Sequence, residues 1–140
     1  MAGRAGDEPE YHALAEFRHR IRRFLRFSEQ AARAAGLAPR QHQLLLAVKA
    51  AGGGEAPTVG ALAARLGVRH HSAVGLVDRL AARRLVRRRR DGRDRRQVHV
   101  ELTPPGEEVL RRLSIHHRAE LRTEGPALVR ALRAIIGSSR

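Results

Sequence analysis

The chain has 140 residues, enough for one domain and its core, and 28 basic residues against 14 acidic ones give it a formal charge of +14. An apolar share of 42% marks a folded basic protein whose core must be built from Leu, Val and Ala, since it has three Phe, one Tyr and no Trp. Without Cys there is no disulfide scaffold, thiol switch or Cys-bearing zinc site, and neither a membrane-length apolar run nor a secretion signal is present, so a cytoplasmic, nucleoid-associated setting is expected.

Residues 1–9 read as a flexible lead-in. From residue 10 to 35 the apolar positions Leu14, Phe17, Ile21, Phe24/Leu25, Ala31/Ala32 and Ala35 step by threes and fours, a long amphipathic helix ended by Gly36. A second helix follows Pro39 on Leu44, Leu45, Ala47 and Val48 and stops at Gly52–Gly54. Thr58 is a suitable N-cap for a short third helix with Val59, Leu62, Ala63 and Leu66 inside and Gly67 at its end. The fourth, about 70–83, follows so closely that the pair reads as a helix-turn-helix.

After Leu85 the apolar period falls from about 3.6 to 2. Leu85–Arg90 and Gln97–Leu102 predict two strands joined at Asp91-Gly92, with Val98, Val100 and Leu102 inward and His99 and Glu101 outward. Thr103-Pro104 starts another helix, with Glu107 and Glu108 in its positive first turn. Gly125-Pro126 is expected to break it, leaving a last helix on Leu128, Val129, Leu132, Ile135 and Ile136.

At about 100° per residue, the fourth helix puts Ala73, Val74, Leu76, Val77, Leu80 and Ala81 on one side. His71, Ser72, Gly75, Asp78, Arg79 and Ala82 fall on the other. A polar strip with little bulk at Gly75 and Ala82 can lie close to a base edge or a phosphate wall. A solvated face would look the same on an isolated helix; after a helix-turn-helix turn in so basic a chain, the nucleic-acid reading prevails. Residues 65–96 hold 12 Arg and three acids, and Arg87–Arg90 is an unbroken run, a charge density that phosphates would relieve.

Ala61 to Gly106 resembles the winged helix-turn-helix core of the MarR family of bacterial transcription regulators. The resemblance rests on Leu76–Leu80 (LVDRL), Leu85-Val86, Asp91 to Arg96 (D-x-x-D-R-R) and Leu102 to Gly106 (L-T-x-x-G). It implies an α+β, mostly helical fold over a single domain at 10–137. The winged core spans about 39–103, the recognition helix about 70–83 and the wing about 85–102, with N- and C-terminal dimerisation helices about 10–35 and 104–137. It also implies a homodimer on double-stranded DNA. By carry-over His70, His71, Ser72, Gly75 and Arg79 contact bases and phosphates. Arg93, Arg95 and Arg96 fall at the wing tip, with Asp94 steadying Arg96. Arg69-His70 and Val74 depart from the family pattern, so base preference is not carried over, and Ala38 stands where relatives often have a hydroxyl cap.

The reading is a sequence-specific regulator, by default a repressor, on a pseudo-palindromic operator. Any effector is a small molecule, an anionic one fitting the arginine-rich surroundings better. The alternative is a sequence-indifferent packaging or RNA-binding protein, but residues 65–96 lack the aromatic platforms such modules use. No cofactor, metal or membrane partner is expected. His70-His71 and His116-His117 are adjacent pairs that point about 100° apart on a helix, and His42 is expected at the surface. No nucleophile–base order or phosphate-cradling loop suggests an enzyme.

Overall fold

A computed structural model describes residues 7–52, 54–90 and 96–137. Five helices and a hairpin follow in the order α1 (Asp7–Ala34), α2 (Pro39–Ala50), α3 (Val59–Leu66), α4 (His70–Ala82), β1 (Val86–Arg89), β2 (His99–Leu102) and α5 (Pro104–Gly137). They form two compact units, one of residues 1–31 with 115–140 and one of residues 32–114.

The second unit carries the helix-turn-helix and the wing. Leu37, Leu44, Leu45, Leu62, Val77, Leu80, Val86 and Val100 are the largest of its fully buried side chains, so its core is aliphatic. The Thr58 side chain caps α3 by accepting the Ala61 amide at 3.1 Å. Gly67 ends the helix in the left-handed region at φ +66°, where a side chain would be strained. Ala38 offers α2 no side-chain acceptor. Gln41 reaches back instead, its Oε1 accepting the Ala38 amide at 2.9 Å, which supplies the reciprocal half of a capping box.

The hairpin is antiparallel, in a register that sets Val86 opposite Leu102, Arg87 opposite Glu101, Arg88 opposite Val100 and Arg89 opposite His99. On its other edge β2 meets the segment before α3. The Val59 amide donates to the Val98 carbonyl at 3.1 Å, and the Val100 amide to the Pro57 carbonyl at 2.9 Å. This edge corrects the expected orientation of His99. The side chain is 6% exposed, and its Nδ1 donates to the Ala56 carbonyl at 2.6 Å. Alternation predicts an outward histidine only where nothing covers that face, and residues 55–58 do cover it. His42 on α2 is likewise buried rather than at the surface.

The first unit pairs α1 with α5. Phe24 and Phe27 meet the His117 ring edge-on, at centroid distances of 6.0 and 5.4 Å. His117 Nε2 lies 2.8 Å from Ser28 Oγ. Glu124 takes Arg20 at 3.1 Å and Arg23 at 3.5 Å. These contacts bear on the expected break at Gly125-Pro126, which does not occur, because α5 runs through Pro126 as one helix of 34 residues. Proline removes one backbone hydrogen bond and crowds the preceding turn, at about 3 kcal/mol. Packing on either side offsets that cost. Glu124 is fixed to α1 just before the proline, and Ala131 is buried just after it.

Candidate nucleic-acid interface

Four residues of α4 face the core of their unit, Ala73, Leu76, Val77 and Leu80. The remaining surface divides into two strips. His71, Ser72, Gly75 and Arg79 form one, exposed or half-exposed along its length. A Cβ at Gly75 would meet nothing within 4 Å, so neither packing nor backbone conformation within the chain requires glycine there. The other strip is His70, Val74 and Asp78, spaced by four and stacked along one edge. Val74 is thus corrected from the inward set. It is 37% exposed, because it shares the edge of His70 and Asp78 rather than that of Leu76.

That second strip forms one wall of a cleft of about 450 Å³. The start of α3 (Thr58 to Gly60) closes one end. Arg88 and Arg90, with Arg96, Gln97 and Val98, supply the opposite wall, and Val59, Val77 and Val98 contribute apolar floor. His70 and Arg96 therefore line one cleft, while His71, Ser72, Gly75 and Arg79 occupy the adjoining strip of α4. Arg93, Asp94 and Arg95 lie outside the described residues, so the steadying of Arg96 by Asp94 has no geometry to report.

The acid met on this surface is Asp78, and its Oδ1 accepts a hydrogen bond from Arg88 Nη1, which ties α4 to β1. On the reverse of the hairpin Glu101 pairs with Arg87 and Arg89, each at 2.9 Å. The arginine run is thus divided by strand alternation, Arg88 and Arg90 toward the α4 cleft, Arg87 and Arg89 away from it. Sequence reasoning passed over Arg88, Arg90 and Val74 as site residues. The two-residue period of a strand, which runs through Arg87–Arg90, is the signal in the sequence that puts Arg88 and Arg90 on one face. Among the described residues no group of three His, Cys, Asp or Glu could hold a metal ion, and no helix is long and apolar enough to cross a membrane.

A short helix, a glycine turn, a second helix with a small-residue polar strip and a basic hairpin beside it define a winged helix-turn-helix protein. Residues 35–97 match the family model described as MarR family. Solved structures share the fold. Streptomyces coelicolor AbsC, a MarR family transcriptional regulator, is 24% identical over 76% of this chain and 71% of its own, with a TM-score of 0.66. A mutant of Staphylococcus aureus MepR bound to an oligodeoxyribonucleotide is 17% identical over 89% and 95%, with a TM-score of 0.70. Bordetella bronchiseptica BpsR, whose DNA binding is described as regulated by 6-hydroxynicotinic acid, is 24% identical over 83% and 86%, with a TM-score of 0.60. No curated protein matches the chain.

Proposed function

We propose that the protein is a sequence-specific double-stranded-DNA-binding regulator of transcription, a repressor acting in the cytoplasm as a homodimer on a pseudo-palindromic operator. The observation that carries this reading is the union of the α4 strip with the cationic cleft beside it. Ser72, Gly75 and Arg79 form a low polar ridge able to approach base edges, and Arg88, Arg90 and Arg96 stand where a phosphate backbone would pass. His70 and His71 sit at the leading end of the ridge and contact bases or adjoining phosphates. Arg96, with Arg93 and Arg95 beyond the described residues, serves the minor groove, whose narrow A·T-rich form concentrates negative potential.

A two-fold dimer requires half-sites about one helical turn apart. Control is by a small anionic molecule, the chemistry an arginine-rich protein favours and the one named for BpsR. Such a ligand acts only by binding the DNA-competent and DNA-incompetent states unequally.

The test is binding to a duplex carrying the protein's own upstream inverted repeat and to random duplex, over a salt series. A regulator retains a preference of about 10³ or more. Arg96→Ala lowers the salt slope by about 0.9, one phosphate contact. Arg79→Ala costs about 1–3 kcal/mol at one base position and little elsewhere. Equal affinity for both duplexes would make the chain a packaging protein instead.

A further inference from the structure

Among the described residues of α4, Val74 is the one large apolar side chain left in solvent, at 37% exposure. The buried set Ala73, Leu76, Val77 and Leu80 fixes which way the helix faces. At about 100° per residue, Val74 and Arg79 stand about 70° to either side of the line that points directly away from that set. His71 and Gly75 lie between them, and a Cβ at Gly75 would meet only open space. A groove entered along that line takes in Val74 on one side and Arg79 on the other.

The neighbours of Val74 one turn away on its own edge are His70 and Asp78. Arg88, Arg90 and Arg96 stand across the cleft, and there a phosphate backbone finds its cations. An isopropyl group offers a phosphate oxygen nothing, and the Asp78 carboxylate beside it is engaged by Arg88. Val74 has no use on a phosphate path.

Resting on the DNA-binding reading above, we infer that Val74 is a specificity-determining residue that reads the C5-methyl group of a thymine in the major groove. That methyl is the apolar group that base edges present there, and the rest of the edge offers hydrogen-bond donors and acceptors. Packing the valine against it removes apolar surface of both partners from water. Cytosine carries no methyl at that place, so the valine would face bare groove. The structural alternative is a valine that only edges the cleft floor beside Val59, Val77 and Val98. Such a valine prefers no base, so one methyl group separates the two readings.

The experiment uses the full chain. The parent protein enriches a duplex from a random pool, and each thymine of one enriched half-site is replaced in turn by uracil. That exchange removes the C5-methyl and keeps the base pairing and the polar groups of the edge. Affinities of the parent and of Val74→Ala are measured on every duplex over a salt series. Alanine is a better helix former than valine and the position is partly open to solvent, so the variant is expected to fold. The uracil series on the parent needs no variant at all.

Uracil at one thymine of the half-site is expected to weaken the parent about four-fold, the worth of one buried methyl group. Val74→Ala binds the thymine duplex several-fold more weakly and no longer distinguishes thymine from uracil at that position. At every other thymine the two proteins give the same ratio. The salt slope of Val74→Ala stays that of the parent, since no phosphate contact is lost.

An enriched half-site with no thymine sensitive to uracil overturns the inference, and so does a thymine preference that survives in Val74→Ala. A Val74→Ala variant that melts lower and keeps the parent's preference assigns the valine to the cleft floor, which overturns it too. All three outcomes leave the regulatory reading intact. A parent that enriches no duplex overturns both.

Discussion

Gly106, in the first turn of α5, lies so close to Leu85 at the entrance to the wing that a Cβ on residue 106 would stand 1.9 Å from the Leu85 carbonyl oxygen. Thr103 binds the same junction. Its amide donates to the Leu85 carbonyl at 3.1 Å, and its hydroxyl donates to the Arg84 carbonyl at 2.6 Å while accepting the Gly106 amide at 3.2 Å. Arg84 needs that support, since it is the one described non-glycine residue with positive φ, at 60°. The L-T-x-x-G pattern is therefore a clamp of the hairpin on the start of α5. Gly106→Ala must move backbone rather than a side chain and is expected to cost about 3 kcal/mol or more. Thermal unfolding should fall by roughly 10 °C; an unchanged melting temperature would show that the close approach is dispensable.

Gly75 behaves in the opposite way. It sits inside α4 with open space where a Cβ would be, so Gly75→Ala should stabilise the folded chain by about 0.5–1 kcal/mol. The same methyl would stand on the strip proposed to approach the bases, so affinity for operator duplex should drop while the melting temperature rises. A variant that melts higher and binds equally well would remove Gly75 from the interface.

In the helical pair of α1 and α5, Leu14 and Leu25 lie eleven residues apart, three turns, and so share one edge of α1. Leu121 and Leu132 share one edge of α5 by the same spacing. All four are 40 to 51% exposed, and Ile136 is 65% exposed. Water-facing leucines in rows are what a homodimer would cover. Sedimentation equilibrium should give a dimer at micromolar concentration, and Leu25→Glu with Leu132→Glu should dissociate or unfold it. A folded parent monomer at that concentration would refute the dimer.

Glu108, in the first turns of α5, takes Arg111 at 2.8 Å and Arg112 at 3.1 Å. Hydrogen bonds from Arg111 first, then Arg112, hold its carboxyl down at about 2. A carboxyl lowered on folding contributes stability that is fully present above its ordinary range, near 4.5, and is lost as the pH falls toward 2. The pair groups are open to solvent, so the effect on overall stability is small. Carboxyl-carbon NMR should show Glu108 titrating near 2 in the parent and near its ordinary value once both Arg111 and Arg112 are replaced by Ala. Ordinary titration in the parent would contradict the geometry.

Local chemistry wrote most of the secondary structure into the chain. The Thr58 cap, the Gly67 stop and the change of period after Leu85 each depend on residues a few positions apart, and each is legible without a partner. The α4 strip of His71, Ser72, Gly75 and Arg79 is legible for the same reason, since one helix and one buried face define it. What the sequence left undecided needed contacts between distant segments. His99 is buried because residues 55–58 cross the edge of β2, and Pro126 stays helical beside Glu124, which pairs with Arg20 and Arg23 of α1. In the sequence the arginine run is a single block of charge, because net charge has no direction. Only the hairpin register, which sets Glu101 against Arg87 and Val100 against Arg88, separates Arg88 and Arg90, which face the cleft, from Arg87 and Arg89, which pair with Glu101.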